Sequence, residues 1–368
     1  MLIEMHMLKS FPPTNLNRDE GGSPKSCAYG GVQRGRISSQ CLKRSWRRDS
    51  EFQKLPTGVR TRYLPDEVEK RLRAAGVSDA YIAAVKPKLT AFGNKDAKEN
   101  DEMNTAQVMF FAPEDIDAVA EEVRRALEDC DSVAKVKEIK VKDWQERLKK
   151  LTRPITLDMA LFGRMITDDS FKNVEAAMQV AHAISTHAVN LESDFFTAVD
   201  DLQKIYAEDA GSAMMGDVDF NACCYYMYAA LDTDQLRRNL EGSPEALRAL
   251  PDLLPALLAS MALTNPSGKQ NSFAGHALPS LIAVERKARK VPVSYAGAFE
   301  KPVWEHQGYA KPSAEALVKH IDMVDRCYGI AVEPRLWFCP GLDVQAPVNA
   351  QAVETLPELC CLAGQWLS

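Results

Sequence analysis

Residues 17–48, NRDEGGSPKSCAYGGVQRGRISSQCLKRSWRR, constrain this chain more than any other stretch. Eight cations, Arg18, Lys25, Arg34, Arg36, Lys43, Arg44, Arg47 and Arg48, stand against two carboxylates, Asp19 and Glu20. The block is net +6 inside a 368-residue chain of net charge −6, so the remainder carries −12. A basic block confined to one segment of an acidic chain implies a polyanion partner for one face rather than a general solubility charge. If Ser38 or Ser39 caps a helix, the following residues fall at about 100° each. Cys41, Leu42, Ser45 and Trp46 then share one arc, built to pack. Lys43, Arg44, Arg47 and Arg48 share the opposite arc as two i,i+4 pairs of like charge, which cost helix stability unless an anion lies across them. For an arbitrary helix a solvated basic face is the plainer reading. Here the cations continue upstream through the glycine-rich Gly30–Arg36, which favours nucleic acid.

The same residues carry a resemblance. LNRDEGGSPKSCAYGGVQRGRISSQCLKRSWR at 16–47 resembles the N-terminal signature of the Cas-seven (CasC) proteins of type I-E CRISPR systems. AHAISTH at 181–187 with SDFFTAVDDLQ at 193–203 is similar to the segment entering that family's thumb, and PSGKQNS at 266–272 to its lysine loop. The blocks stand in family order; residues 51–155 have no residue-level match. The resemblance implies a non-catalytic backbone subunit that polymerises along a CRISPR RNA in the Cascade complex, beside other Cascade subunits, so that the guide pairs with target DNA.

Composition sets outer bounds. The chain is 46% hydrophobic and 26% charged, an ordinary globular balance, with material for two to three domains or one core with large insertions. No run of about 18 apolar residues occurs, and MLIEMHMLKS reads as a strand, not a signal peptide, so no membrane partner is expected. Nine cysteines with no C-x-x-C argue against a zinc site and a disulfide framework, and for reduced thiols in a cytoplasm. His182 and His187 are five apart and would not share a helix face as metal ligands. Gly268-Lys269 is followed by Gln270, and Leu263 stands where a Walker A loop needs its first glycine, which excludes an NTPase of that kind. No cofactor and no metal are expected.

Along the chain, residues 1–8 alternate, with Ile3, Met5 and Met7 on one face, and read as a first strand. Residues 64–150 read as helices, with an apolar stripe at 116, 119, 120, 123 and 127. The spacing of Val174, Met178 and Ala181 predicts a helix over 171–188. Residues 190–222 read as a functional excursion, Cys223–Leu231 as a strand, 244–262 as a helix, and Ser280–Glu285 as a strand. This order predicts an α+β fold: a ferredoxin-like, RRM-type palm (1–50, 155–188 and 223–368), an inserted helical "fingers" subdomain (51–154) and an extended thumb hairpin (189–222).

The residues alone offer Lys25, Arg34, Arg36, Lys43, Arg44 and Arg47 as phosphate ligands, with Ser39 and Gln40 at a helix start where free N–H groups favour an anion. Such contacts position a strand without reading its sequence. On the resemblance, Arg18, Lys25, Ser39, Gln40, Lys43 and Arg47 carry over, and Arg48 points to solvent. Phe195 and Phe196 alone read as core. On the resemblance, Phe196, Thr197 and Val199 belong to a hairpin that presses a nucleotide out of line, and Met165 wedges near the displaced base. Lys269 becomes a turn lysine on RNA phosphate. Two alternatives stay open. One is a metal-dependent ribonuclease using Asp19, as in type III backbone subunits, although an Arg18–Asp19 pair orienting the loop is the plainer reading. The other is an RRM-like binder outside CRISPR.

Overall fold

The computed structural model describes all of residues 1–368 except 94–98, 100–101, 152, 168–169, 199–213 and 305–307. In chain order the elements are β1 (Leu2–Thr14), β2 (Ser26–Tyr29), β3 (Val32–Ile37), α1 (Ser39–Arg47), β4 (Val59–Thr61), α2 (Leu64–Ala74), α3 (Asp79–Leu89), β5 (Met109–Phe111), α4 (Pro113–Glu128), α5 (Val133–Glu138), α6 (Val141–Lys149) and α7 (Leu157–Phe162). They continue as β6 (Met178–Val180), β7 (Ala183–Ser185), β8 (Glu192–Ala198), β9 (Met214–Asp232), α8 (Thr233–Asn239), α9 (Pro244–Arg248), α10 (Leu250–Leu263), α11 (Gln270–Phe273), β10 (Pro279–Lys287), α12 (Ala310–Tyr328), β11 (Arg335–Phe338), β12 (Ala350–Ala352) and α13 (Leu356–Gly364). The fold is mixed α and β. The chain divides into two compact units, one of residues 1–52, 179–232 and 254–368, the other of 53–178 and 233–253.

The first unit is built on a sheet of order β12-β11-β10-β1-β9-β7-β3-β2. β1 runs antiparallel to both neighbours, from Leu2 opposite Asp232 on β9 and Lys287 on β10. The alternation of residues 1–8 predicts one buried face, and the structure buries both. On the face of Leu2 and Leu8, helix α12 covers the sheet with Ala314, Leu317, Ile321 and Val324. A fully buried aliphatic side chain of this kind contributes about 1.5–3 kcal/mol. Glu4 and His6 share that covered face. They survive burial because the strand beside them supplies partners. Glu4 accepts from Tyr228 Oη and from the Val293 N–H at 2.8 Å, and it pairs with Lys287. Arg335 Nε pairs with Glu285 Oε1 at 2.7 Å. His6 Nδ1 meets Tyr226 Oη at 2.9 Å, and its ring stacks on Tyr295 with centroids 4.5 Å apart.

The second unit is helical. The predicted stripe of α4 is buried at Ile116, Val119, Ala120, Val123 and Leu127, packed with Val68 and Leu72 of α2, Val85 of α3 and Trp144 of α6. A short ribbon pairs β4 with β5 in this unit.

One predicted element is replaced. Residues 171–188 hold two three-residue strands, β6 and β7, and no helix. Antiparallel pairing of β7 with β3 and β9 overrides the local spacing. The strand expected over Cys223–Leu231 is longer and extends back to Met214, and β8 pairs antiparallel with that extension from Glu192↔Phe220 to Ala198↔Met214.

Candidate nucleic-acid interface

The basic block folds as a hairpin followed by a helix. β2 and β3 are joined by Gly30 and Gly31, both at positive φ (61° and 78°), the backbone of a tight hairpin turn. Gly30 is fixed twice over, because a Cβ there would lie 1.7 Å from the Glu300 carbonyl oxygen. Ser38 caps α1, its Oγ accepting from the Cys41 N–H at 3.3 Å, while the Ser38 N–H donates to Asn17 Oδ1 at 2.9 Å. The loop that opens the block therefore aims the helix that closes it. Leu42 and Trp46 are buried; Gln40, Arg44 and Arg48 are exposed, and Lys43 and Arg47 half-buried. Ser39 is buried, so what it offers an anion is its backbone N–H in the first turn.

Arg34 is a correction. It is fully buried, and its guanidinium donates to four carbonyls: Tyr29 at 3.1 Å, Ser185 at 3.2 Å, Phe299 at 2.7 Å and Glu300 at 3.2 Å. It ties the hairpin to two distant segments and has no donor face left for a phosphate. Arg36, two residues on, remains at the surface. Its Nε donates to the Ser26 carbonyl at 3.2 Å and its Nη1 to His182 Nδ1 at 3.0 Å.

A cleft of about 520 Å³ opens between the 17–22 loop, α1 and the lysine loop, lined by Asn17, Arg18, Asp19, Arg44, Ser45 and Ser267. The lysine loop reaches it because Gly268 lies flat on the Asn15–Leu16 backbone; a Cβ there would stand 2.3 Å from the Leu16 carbonyl oxygen. Lys269 follows in the left-handed region (φ 50°). Sequence reasoning missed what anchors this loop. Lys9, buried on β1, donates to the Ala262 and Thr264 carbonyls at 2.9 and 2.8 Å at the end of α10, and burial pushes its amine down to about 7. The expected Arg18–Asp19 pair gives way to a local turn: Asp19 Oδ1 accepts from the Ser23 N–H at 3.0 Å, and the Asp19 N–H donates to the Ser23 carbonyl at 2.9 Å. Among the described residues no group of three His, Cys, Asp or Glu side chains stands close enough to hold a metal.

The β8–β9 ribbon carries its acidic residues, Glu192, Asp194, Asp217 and Asp219, toward the base, with Phe195 opposite Asp217, and Phe196, Thr197, Met214 and Met215 beyond them. Phe195 is 61% and Phe196 38% exposed, against the core reading of these rings. Phe196 lies over Gly216, where a Cβ would be 2.8 Å from its ring. Val199 lies outside the described residues. Asn15 ties the ribbon's base to the basic loop, donating to the Gly22 and Asp219 carbonyls at 2.9 and 2.8 Å. In the second unit Met165 is 90% exposed on a loop whose neighbour Arg164 is buried.

This geometry can be set against known proteins. A family model described as CT1975-like protein matches residues 3–361, nearly the whole chain. The chain belongs to the CT1975-like family. Among solved structures, this CT1975-like protein is similar to a chain of a "CRISPR RNA-guided surveillance complex, pre-nicking", with 29% identity, TM-score 0.83, and 100% of both chains covered. A chain of a "CRISPR RNA-guided surveillance complex" shares the fold at 23% identity and TM-score 0.63, over 100% of this chain and 99% of that one. No curated protein matches the sequence. Among the described residues no helix of this CT1975-like protein is long and apolar enough to cross a membrane.

Proposed function

We propose that this CT1975-like protein binds CRISPR RNA as a repeated, non-catalytic backbone subunit of a type I-E Cascade complex in the cytoplasm. Copies polymerise along the guide beside other Cascade subunits and present it for pairing with target DNA. The observation that carries this reading is the gathering of Arg18, Arg44 and the lysine loop around one cleft, with Lys25, Arg36 and Lys43 grouped about His182 at the head of α1. Arg18, Lys25, Arg36, Ser39, Gln40, Lys43, Arg44, Arg47 and Lys269 hold the sugar–phosphate backbone. None of these groups reads a base edge, which suits a protein that accepts any guide. Phe196 and Thr197 on the ribbon, and Met165, act on the bases.

The strand order β10-β1-β9-β7, antiparallel throughout, with α1 between β1 and β7 and α10 between β9 and β10, supports a ferredoxin-like, RRM-type palm. The helical unit then serves as fingers and the β8–β9 ribbon as thumb. The likeness over the full length to a surveillance-complex chain supports the assembly. The test is to purify the protein together with its natural neighbours and determine the mass and nucleic-acid content of the particle. Several copies on one RNA of uniform length is the expected result. A nucleic-acid-free monomer would refute the reading.

A further inference from the structure

We propose that His182 completes an anion seat with Lys25, Arg36 and Lys43 at the head of α1, and that it takes up a proton from solvent when an RNA phosphate enters that seat. The inference rests on the RNA binding proposed above and adds a proton to it.

The register places the residue. β3 and β7 pair as Arg36↔Ile184 and Ile37↔Ala183, so the next step brings His182 opposite Ser38, the cap of α1. His182 is exposed at this point, and Arg36 Nη1 stands 3.0 Å from its Nδ1. A guanidinium only donates. Nδ1 must therefore accept, and the imidazole is neutral with its hydrogen on Nε2. The charged groups acting on His182 come from three elements: Arg36 on β3, Lys25 ahead of β2, and Lys43 on α1. All three are cations. On its other flank β7 meets β9 through Ile184↔Tyr226 and Ser185↔Tyr225, and beside His182 the Ala181 N–H donates to the Tyr228 carbonyl at 2.9 Å. Partial burial first, then these three cations, hold the imidazole below its usual range. Three cations around an imidazole favour an anion beside it.

A phosphate in the seat reverses the balance. It offsets the repulsion from Arg36, Lys25 and Lys43, and an opposite charge within about 4–6 Å favours the protonated ring by 1–3 pK units. Protonation puts a hydrogen on Nδ1, which can then no longer accept from Arg36. The Arg36 Nη1 donor is released and turns to the phosphate beside it, while His182 gains a second donor. The two events exclude the free-state hydrogen bond and favour each other. Only a proton moves, from bulk water to Nδ1.

The experiment is isothermal titration calorimetry of the full chain with a single-stranded RNA oligonucleotide near pH 7. It uses buffers of different ionisation heat, with affinities measured from pH 5.5 to 8. The variant is His182→Gln, whose amide oxygen still accepts from Arg36; its folding is checked by circular dichroism. We expect net proton uptake by the natural protein and tightening as pH falls, up to about tenfold per pH unit for one linked proton. In His182→Gln the uptake and the slope disappear while RNA still binds. Equal uptake and equal pH profiles for the two proteins would overturn the inference and leave RNA binding standing. No RNA binding by the natural protein at any pH would instead overturn the underlying reading, and the inference with it.

Discussion

Arg164 Nη1 lies 2.5 Å from Asp115 Oδ2, with both side chains buried, and the residue that follows, Met165, is 90% exposed. The pairing explains the exposure. Arg153 Nε occupies the other oxygen of Asp115 at 2.8 Å, and Arg164 Nε donates to the Lys172 carbonyl at 2.9 Å. On the far side of Met165, the Ile166 N–H donates to Asn173 Oδ1 at 2.7 Å. A large apolar side chain is thus held out into solvent by a loop fixed at both ends. That arrangement costs hydrophobic burial and contributes nothing to the core.

Separate substitutions should divide the two roles. Arg164→Ala leaves Asp115 with Arg153 and the Ala112 N–H but without its closest cation, and should cost about 3–5 kcal/mol, as breaking a buried pair does. Met165→Ala should move the unfolding free energy by no more than about 0.5 kcal/mol, yet weaken ordered assembly on RNA. Denaturant unfolding and a size measurement on RNA read both. A drop of about 2 kcal/mol or more in Met165→Ala would make the residue a packing element after all.

The buried network of the first unit should show itself in acid. Burial drives the His6 imidazole down to about 4, partly opposed by Glu285. The folded protein therefore keeps His6 neutral where the unfolded chain, near 6.5, binds a proton. Stability from this residue is complete above about pH 6.5 and is lost as pH falls toward 4. The loss totals about 3 kcal/mol at roughly 1.4 kcal/mol per unit. His6→Phe keeps a ring among Tyr226, Tyr228 and Tyr295 and removes the titration. Its unfolding free energy should fall less between pH 6.5 and 4.5 than that of the natural protein. Parallel curves for the two proteins would assign the acid limb to the carboxylates instead.

What is legible in the sequence follows the range of the interactions. The cap, packed arc and basic arc of α1 are written within eleven consecutive residues, and Ser38, Leu42 and Trp46 stand where the pattern puts them. The α4 stripe is equally local. Arg34 reads as a phosphate ligand because its carbonyl acceptors at Ser185 and Phe299 lie 151 and 265 positions away. His182 escapes a sequence reading for the same reason; only the β3–β7 pairing brings it to Arg36. The helix expected over 171–188 rests on three apolar residues at helical spacing, which two short strands satisfy as well once tertiary pairing is available. Glu4 and His6 alternate with Ile3, Met5 and Met7 as a solvent face would, and Lys9 is a lone cation in line with the apolar face; all three are buried because their partners arrive from β9, β10 and the end of α10.

The ribbon gives a test that does not touch its aromatic residue. Gly216 sits beneath Phe196, and a Cβ there would meet the ring at 2.8 Å. Gly216→Val should therefore displace the ring while leaving the pairing of β9 with β1, which begins at Asn221, unaffected. The expected outcome is an unchanged thermal transition for the free protein and impaired RNA-length-dependent assembly. Assembly at the natural level would remove Phe196 from the interface.

The two classes of cation in the basic block should separate under salt. Arg34→Ala removes the donor from four carbonyls and strands two of them, Ser185 and Phe299, in the interior. With hydrogen bonds to a charged group worth about 1.5–3 kcal/mol each and not additive, it should lower stability by several kcal/mol. Any fall in RNA affinity should then track the unfolded fraction. Lys43→Ala with Arg47→Ala removes cations from the outer arc of α1. The double variant takes away both members of the like-charged Lys43–Arg47 pair, so the unfolding free energy should change by no more than a few tenths of a kcal/mol. RNA affinity should fall equally for unrelated sequences, because phosphates carry no sequence information. The slope of log affinity against log salt should shrink by about 0.7 for each single-strand phosphate that the variant no longer neutralises. Nitrocellulose filter binding at four or five salt concentrations measures both quantities. An unchanged slope in the double variant, with Arg34→Ala folded but unable to bind, would move the phosphate-binding groups off the helix and onto the hairpin.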